Sequence, residues 1–334
     1  MSPDPRGSRE RPRVESSHME VEWMDSWDAY QAAEAARLHL EDGLSYTQIG
    51  EMLGASRFRV ARLVSAARDA GWVQVSVVSP PGVDVGLTRE FGQLCSERGI
   101  RRALVTPEKG GRPALERAAA DAVQGATEKG DVVGFACGMT VNRVVAAIRR
   151  LPECEVVQLT GLTHPGQYAD SSVETIRRAA RLTGTHVRPV FEPMVQASQA
   201  LARERGRHPS LVRAFARWER ITTALLTVGA WMPGESNVYD AEALEDAARQ
   251  RATHAGAVAE FCGHLIDAEG RVVAEDITAR CLTVPLERLL GAREVVAVAA
   301  RPERSAAVRA AMRTDLIDTL VAIEGVARSL LSER

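Results

Sequence analysis

From residue 28 onward the apolar positions follow two successive regimes. Over 28–78 they recur three and four apart, the spacing of amphipathic helices. DAYQAAEAARLHLEDG predicts a first helix, with Gly43 as its stop. SYTQIGEMLG predicts a short second one, with Ile49, Met52 and Leu53 on its inner face and Gly54 ending it. ASRFRVARLVSAARDAGWV predicts a third, capped by Ser56 and burying Val60, Leu63, Val64 and Ala67. QVSVV (74–78) then alternates as a short strand does.

After residue 86 short apolar runs alternate with Ala/Arg-rich amphipathic stretches. Candidate strands are 102–106, 131–136, 155–160, 186–190, 224–229, 256–261 and 294–300. PALERAAADAVQGA and SVETIRRAARLTG are typical of the helices between them. Near-continuous apolar strands separated by helices predict an α/β fold, a doubly wound, Rossmann-like parallel sheet covered on both faces. CGHLIDAEGRVVAED predicts an inserted hairpin turning at Ala268-Glu269-Gly270. The organisation expected is therefore a disordered tail over 1–27, an all-helical domain over 28–78, a linker over 79–86 and a large domain over 87–334. The tail carries Pro, Ser, Gly and charge with little to bury. The linker, SPPGVDVG, holds two prolines and two glycines.

Composition narrows the classes. The chain has 334 residues, 45% hydrophobic and 26% charged, ample for a sizeable core. Its net charge of -2 excludes a uniformly basic nucleic-acid coat, but not one basic face. No apolar run approaches the roughly 18 residues of a membrane span, so no membrane partner is expected. Five scattered cysteines without a C-x-x-C pattern argue against a disulfide framework or zinc finger, and fit a reducing cytoplasm. Neither a metal nor a cofactor is expected. Only two lysines occur, Lys109 and Lys129, which leaves little room for Schiff-base chemistry.

The second and third predicted helices, joined by Gly54-Ala55, have the layout of a helix-turn-helix. With Val60 and Leu63 turned inward, Arg57, Arg59 and Arg62 face largely outward. Between Tyr46 and Arg68 there are four arginines and a single acidic residue, Glu51. Such a face suits the phosphates of double-stranded DNA, and Arg57 sits at the helix start that usually reaches base edges. Thr47, Gln48 and Ser56 are further candidate contacts. An Arg-rich solvated helix in a small bundle is the alternative.

In the large domain, ligands of a doubly wound sheet bind beyond the carboxyl ends of its strands. The turn GFACGMT follows the strand at 131–136. There Gly138 permits close backbone approach, and Thr140 adds a hydroxyl where a helix start favours anions. The same glycine also serves any strand-to-helix turn. QLTGLTH places Gly161, Leu162, Thr163 and His164 at the next strand end, and Thr227-Val228-Gly229 ends a third. Glu260, inside an apolar strand, needs a partner. A sugar hydroxyl and an internal group are both candidates. Arg301 and Arg304 follow the strand at 294–300, and Arg304 is placed either to pair with phosphate or to remain on the surface.

These segments together resemble the SorC family of bacterial sugar-responsive transcriptional regulators. The similarity runs from about residue 30 to 331. It rests on LSYTQIGEMLGASRFRVARLVSAARDAGWV, GFACGMT, EVVQLTG, ALLTVG, GAVAEFCGHLIDAEGRVV and VAVAARPERSAAVRAAM, in order and spacing. The resemblance implies a helix-turn-helix followed by a sugar-binding domain related to sugar-phosphate isomerases and deaminases. It implies operator DNA and a sugar or sugar-phosphate effector as partners, and a homotetramer. Carried over by position, Gly138 and Thr140 would hold phosphate, and Gly161 with its neighbours Leu162 and Thr163 would line the sugar. Gly229 is a further effector-binding candidate, as is Met139, which stands where the family often carries a polar residue. Glu260 would meet hydroxyls, and Arg304 would stand where a Lys commonly holds phosphate. The departures are Thr227 and Ala300-Arg301, where the family carries glycines, and Cys137, where Trp is common. They imply a reshaped pocket. The alternative reading, an isomerase- or deaminase-like enzyme, would have to use Glu260, His164 or Asp267, without a nearby Lys.

Overall fold

The computed structural model describes residues 25–75, 80–163, 172–185, 187 and 189–332. Contacts divide the chain into two units, residues up to 78 and residues from 79 on. The expected tail lies almost wholly outside the described residues.

The first unit holds helices α1 (Ser26–Leu40), α2 (Tyr46–Leu53) and α3 (Arg57–Asp69). Helix α1 starts two residues earlier than the apolar pattern implies, because the Asp25 carboxylate accepts the Trp27 and Asp28 amides. Ser45 and Gln48 form a reciprocal capping box on α2, and Ser56 caps α3. Ala32, Ala35, Ile49, Val60, Val64 and Ala67 meet in one small core. Met52, expected on the inner face, is exposed. The short α2 turns Ile49 inward and half-buries Tyr46 and Leu53, which leaves Met52 on the outer flank. Gly50 shapes the turn: a β-carbon there would lie 2.4 Å from the Ala55 carbonyl oxygen. The strand expected at 74–78 is not formed at 74 and 75, and 76–78 lie outside the described residues.

Among the described residues the second unit contains ten strands: β1 (Arg102–Thr106), β2 (Val132–Phe135), β3 (Glu155–Gln158), β4 (Thr223–Thr227), β5 (Gly229–Ala230), β6 (Ala259–Phe261), β7 (His264–Ile266), β8 (Val272–Val273), β9 (Glu294–Ala299) and β10 (Thr319–Ile323). Helix α4 (Val85–Ser96) precedes β1, α5 (Gly111–Ala126) precedes β2, α6 (Met139–Ala147) follows β2 and α7 (Ser172–Thr183) follows β3. The Asp84 carboxylate caps α4 and its amide bonds Val105, so the expected linker already ends in folded chain.

Six strands form a wholly parallel sheet in the order β1-β10-β9-β4-β2-β3. Every residue of β2 and of β9 is buried, as a sheet covered on both faces requires. Helices α5 and α6 pack on each other and α7 on β3. Strand β10 sits inside the sheet although no strand was expected there. Its apolar run continues directly into the helix Glu324–Ser332, which hides the boundary.

Two expected strands fall elsewhere. Of 186–190, residues 187, 189 and 190 form no strand. Val190 is held instead by the Gln158 side chain, which accepts from its amide and donates to its carbonyl. The 256–261 run contributes β6 to a separate antiparallel sheet, β5-β6-β7-β8, rather than to the parallel one. The tight turn at Cys262-Gly263, where Cys262 has φ +47° and Gly263 φ +81°, reverses the chain between β6 and β7. The second turn falls at Ala268–Gly270 as expected.

Candidate functional site

Chain order along the parallel sheet reverses between β2 and β4. From β2 the chain moves outward to β3, and from β4 it moves the other way to β9. A crevice opens beyond the strand ends at such a point. There a cavity of about 310 Å³ is lined by the turns after β2, β4 and β9. The expected residues Gly138, Met139, Thr140, Thr163, Gly229, Glu260, Arg301 and Arg304 all line it.

Each wall has a distinct chemistry. Helix α6 opens into the cavity with no side-chain cap. Its first turn therefore presents amides that lack intrahelical partners, next to the Thr140 hydroxyl. Gly138 takes φ +121°, which side-chain-bearing residues rarely adopt. At the end of β4, Gly229 is required by space: a β-carbon would lie 2.7 Å from the Glu235 carbonyl oxygen and 3.3 Å from Glu260 Oε2.

Glu260 lies on β6, opposite Gly229 in register. It is 4% exposed. Its carboxylate accepts from the Gly263 amide at 2.8 Å and from the Ser236 hydroxyl at 3.0 Å. Burial nevertheless pushes its pKa above the ordinary carboxylate value, the two hydrogen bonds offsetting only part of the desolvation. Both candidate partners of Glu260 thus come into view: internal donors hold it, and the cavity borders it.

The arginine pair is already engaged. Glu235, on the loop after β5, places Oε1 2.5 Å from Arg301 Nη2 and Oε2 2.7 Å from Arg304 Nε. Only 9% of its side chain is exposed. A carboxylate thus stands between the two cations expected to clamp an anion. Among the described residues four arginines line the cavity (Arg112, Arg143, Arg301, Arg304) against four carboxylates (Glu116, Glu235, Asp240, Glu260). Little in the sequence marks the Glu235–Asp240 loop as part of the site. Its only signal is the run GESNVYD, which looks like any polar loop until β6 folds back beside β5.

Gly161 and Leu162 do not line the cavity. Leu162 is buried, and a β-carbon on Gly161 would lie 2.6 Å from the Glu192 carbonyl oxygen, so this segment packs against the chain around Met194. His164 lies outside the described residues. Asp267 is bound to Arg271 within its hairpin and is not among the lining residues. Among the described residues no His, Cys, Asp and Glu side chains come together as a group that could hold a metal ion.

In the first unit, Thr47, Arg57 and Arg62 are exposed and form no ion pair among the described residues. Gln48 and Ser56 are used as caps. Arg59 is turned away from the expected face: its guanidinium meets Asp28 at 3.3 Å and Gln31 at 3.1 Å, both on α1.

A family model described as "Putative sugar-binding domain" matches residues 92–332. The chain belongs to that family. The match covers the whole parallel sheet and the cavity at its switch point, and it agrees with the SorC resemblance. The deoxyribonucleoside regulator of Bacillus subtilis is 26% identical over 93% of this chain and 100% of its own length. The erythritol catabolism regulatory protein EryD of Brucella abortus is 24% identical over 90% and 96%. Among solved structures, the full-length sorbitol operon regulator SorC from Klebsiella pneumoniae superposes with a TM-score of 0.68 at 20% identity, covering 92% of this chain and 100% of that one. This sugar-binding-domain family thus accounts for the α/β fold.

Proposed function

We propose that this chain is a DNA-binding transcriptional regulator whose affinity for its operator is set by a sugar or sugar phosphate bound at the switch-point cavity. The observation that carries the reading is the cavity lining. It combines an uncapped helix start, which favours an anion, with a buried carboxyl, which suits hydroxyls, and an arginine pair held by Glu235, in a chain that also carries a helix-turn-helix. The names of its relatives point the same way. An effector alters operator binding only by preferring one of two states of the protein, with a coupling of about 1–3 kcal/mol typical. The reading includes a cytoplasmic homotetramer that places paired reading helices on half-sites about one helical turn, or a multiple, apart.

The same lining disfavours an enzyme. Neither of the two lysines lines the cavity, and among the described residues no histidine does. Burial pushes the Cys137 thiol up to about 12, where it holds its proton and is a poor nucleophile.

The test is fluorescence anisotropy of the full chain on DNA from upstream of its own operon, against excess random competitor at near-physiological salt. Saturable, competitor-resistant binding that a sugar or sugar phosphate shifts is the expected result. Folded protein that selects no DNA, even from a genomic library, overturns the reading.

A further inference from the structure

Helix α3 presents a side chain that the fold does not use. Phe58 is 68% exposed, although it is among the most apolar side chains of its unit. The buried stripe of α3 is Val60, Leu63, Val64 and Ala67. At about 100° per residue, Phe58 and Arg62 lie four apart on the opposite side of the helix, facing away from α1 and α2. Phe58 is also the second residue of α3, in the turn whose residues reach base edges when such a helix enters a major groove.

Its surroundings are cationic. The Arg57 guanidinium stacks over the Phe58 ring, 4.7 Å from its centre. Arg59, held by Asp28 and Gln31, is withdrawn to the flank. The outward face thus narrows to Arg57, Phe58 and Arg62. A second copy of the chain docking here about a twofold axis would bring the same arginines against these, like charge on like. A DNA groove offers the opposite charge, and among its base edges one apolar group, the thymine 5-methyl.

We propose that Phe58 is a base-reading residue whose ring packs on the 5-methyl group of a thymine in the major groove, with the stacked Arg57 held for the neighbouring base. This inference rests on the DNA-binding reading above. It adds a determinant that a search for hydrogen-bond donors on this helix does not find.

The experiment selects duplexes from a random library with the full-length chain and then replaces their thymines by uracil one at a time. Uracil differs from thymine only in lacking the methyl. For the wild type, one replacement in each half-site should weaken binding about fourfold, the transfer value of one buried methyl-sized group. Phe58→Ala should bind the thymine duplex about as weakly as the wild type binds the uracil one, and should be indifferent to that replacement. Phe58→Leu, which keeps an apolar contact, should retain part of the methyl dependence. Helicity should be unchanged in both variants, because the side chain is exposed.

Methyl dependence equal in wild type and Phe58→Ala overturns the inference. So does an equal loss on selected and random DNA, or a change of oligomeric state with operator affinity intact. A chain that selects no DNA at all removes the regulator reading itself. Selected DNA without a Phe58-dependent methyl effect removes only this inference.

Discussion

Glu235 decides whether the arginine pair is open to an anion, and Glu235→Gln isolates its charge. The substitution keeps the shape of the side chain but leaves Arg304 without its ion-pair partner and Arg301 with only Glu303, 3.7 Å away. Breaking a fully buried ion pair costs about 3–5 kcal/mol. Exposed pairs are worth about 0–1 kcal/mol. Here the carboxylate is 9% exposed, Arg304 21% and Arg301 39%, so water re-solvates part of what is lost. We expect a loss of about 2 kcal/mol, which for a unit of this size lowers Tm by about 4–8 °C. The same change vacates two guanidinium groups that meet at one point. Inorganic phosphate should then bind there and restore stability, by about 2.7 kcal/mol at a hundred times its Kd. The assay is thermal unfolding of both proteins across a phosphate series, with chloride matched for ionic strength. The wild type should respond less, through the start of α6 alone. Equal phosphate stabilisation of wild type and Glu235→Gln would refute the reasoning, because Glu235 would then not be competing for the arginines.

Three further outcomes follow from the geometry. Thr140→Val should weaken binding of the cognate effector about tenfold, as loss of a hydrogen bond to a charged group does, and leave operator affinity intact; calorimetry and anisotropy read the two separately. Gly50→Ala forces a β-carbon onto the Ala55 carbonyl, should destabilise the helical unit by about 3 kcal/mol and should abolish operator binding, while effector binding to the second unit persists. Glu260 has a raised pKa in the fold, so the unfolded chain releases its proton first and wild-type stability falls as pH rises from about 4.5 through the folded value. Denaturant unfolding should therefore show Glu260→Gln gaining on the wild type with rising pH, and a constant difference would contradict the burial argument.

Much of this architecture could be read along the chain because it is written in local signals. Ser56 caps a helix, Gly54 ends one in a left-handed conformation, and the buried stripe of α3 repeats at helical spacing. The runs that became β1, β2, β3, β4 and β9 are near-continuously apolar, as a doubly covered parallel sheet demands. Errors arose where partners decide. GAVAEF carries a strand pattern, but which sheet it joins depends on the reversal at Cys262-Gly263 and on pairing with β5. Strand β10 is invisible because its pattern runs straight into a helix.

Local chemistry also marked the pocket's corners, since Gly138, Thr140 and Gly229 sit at strand ends and Glu260 stands out as a carboxyl inside an apolar strand. What it could not show is which charges meet across the chain. Glu235 is 66 and 69 residues from Arg301 and Arg304, and Asp28 is 31 from Arg59. Sequence spacing carries no information about such pairs. The helices of the first unit and the strands β1, β2, β3, β4 and β9 were thus determined by the sequence itself, because propensity, capping and hydrophobic period act over a few residues. Whether an arginine is available to a ligand or already neutralised was decided only by the tertiary fold, because charges interact through space rather than along the chain.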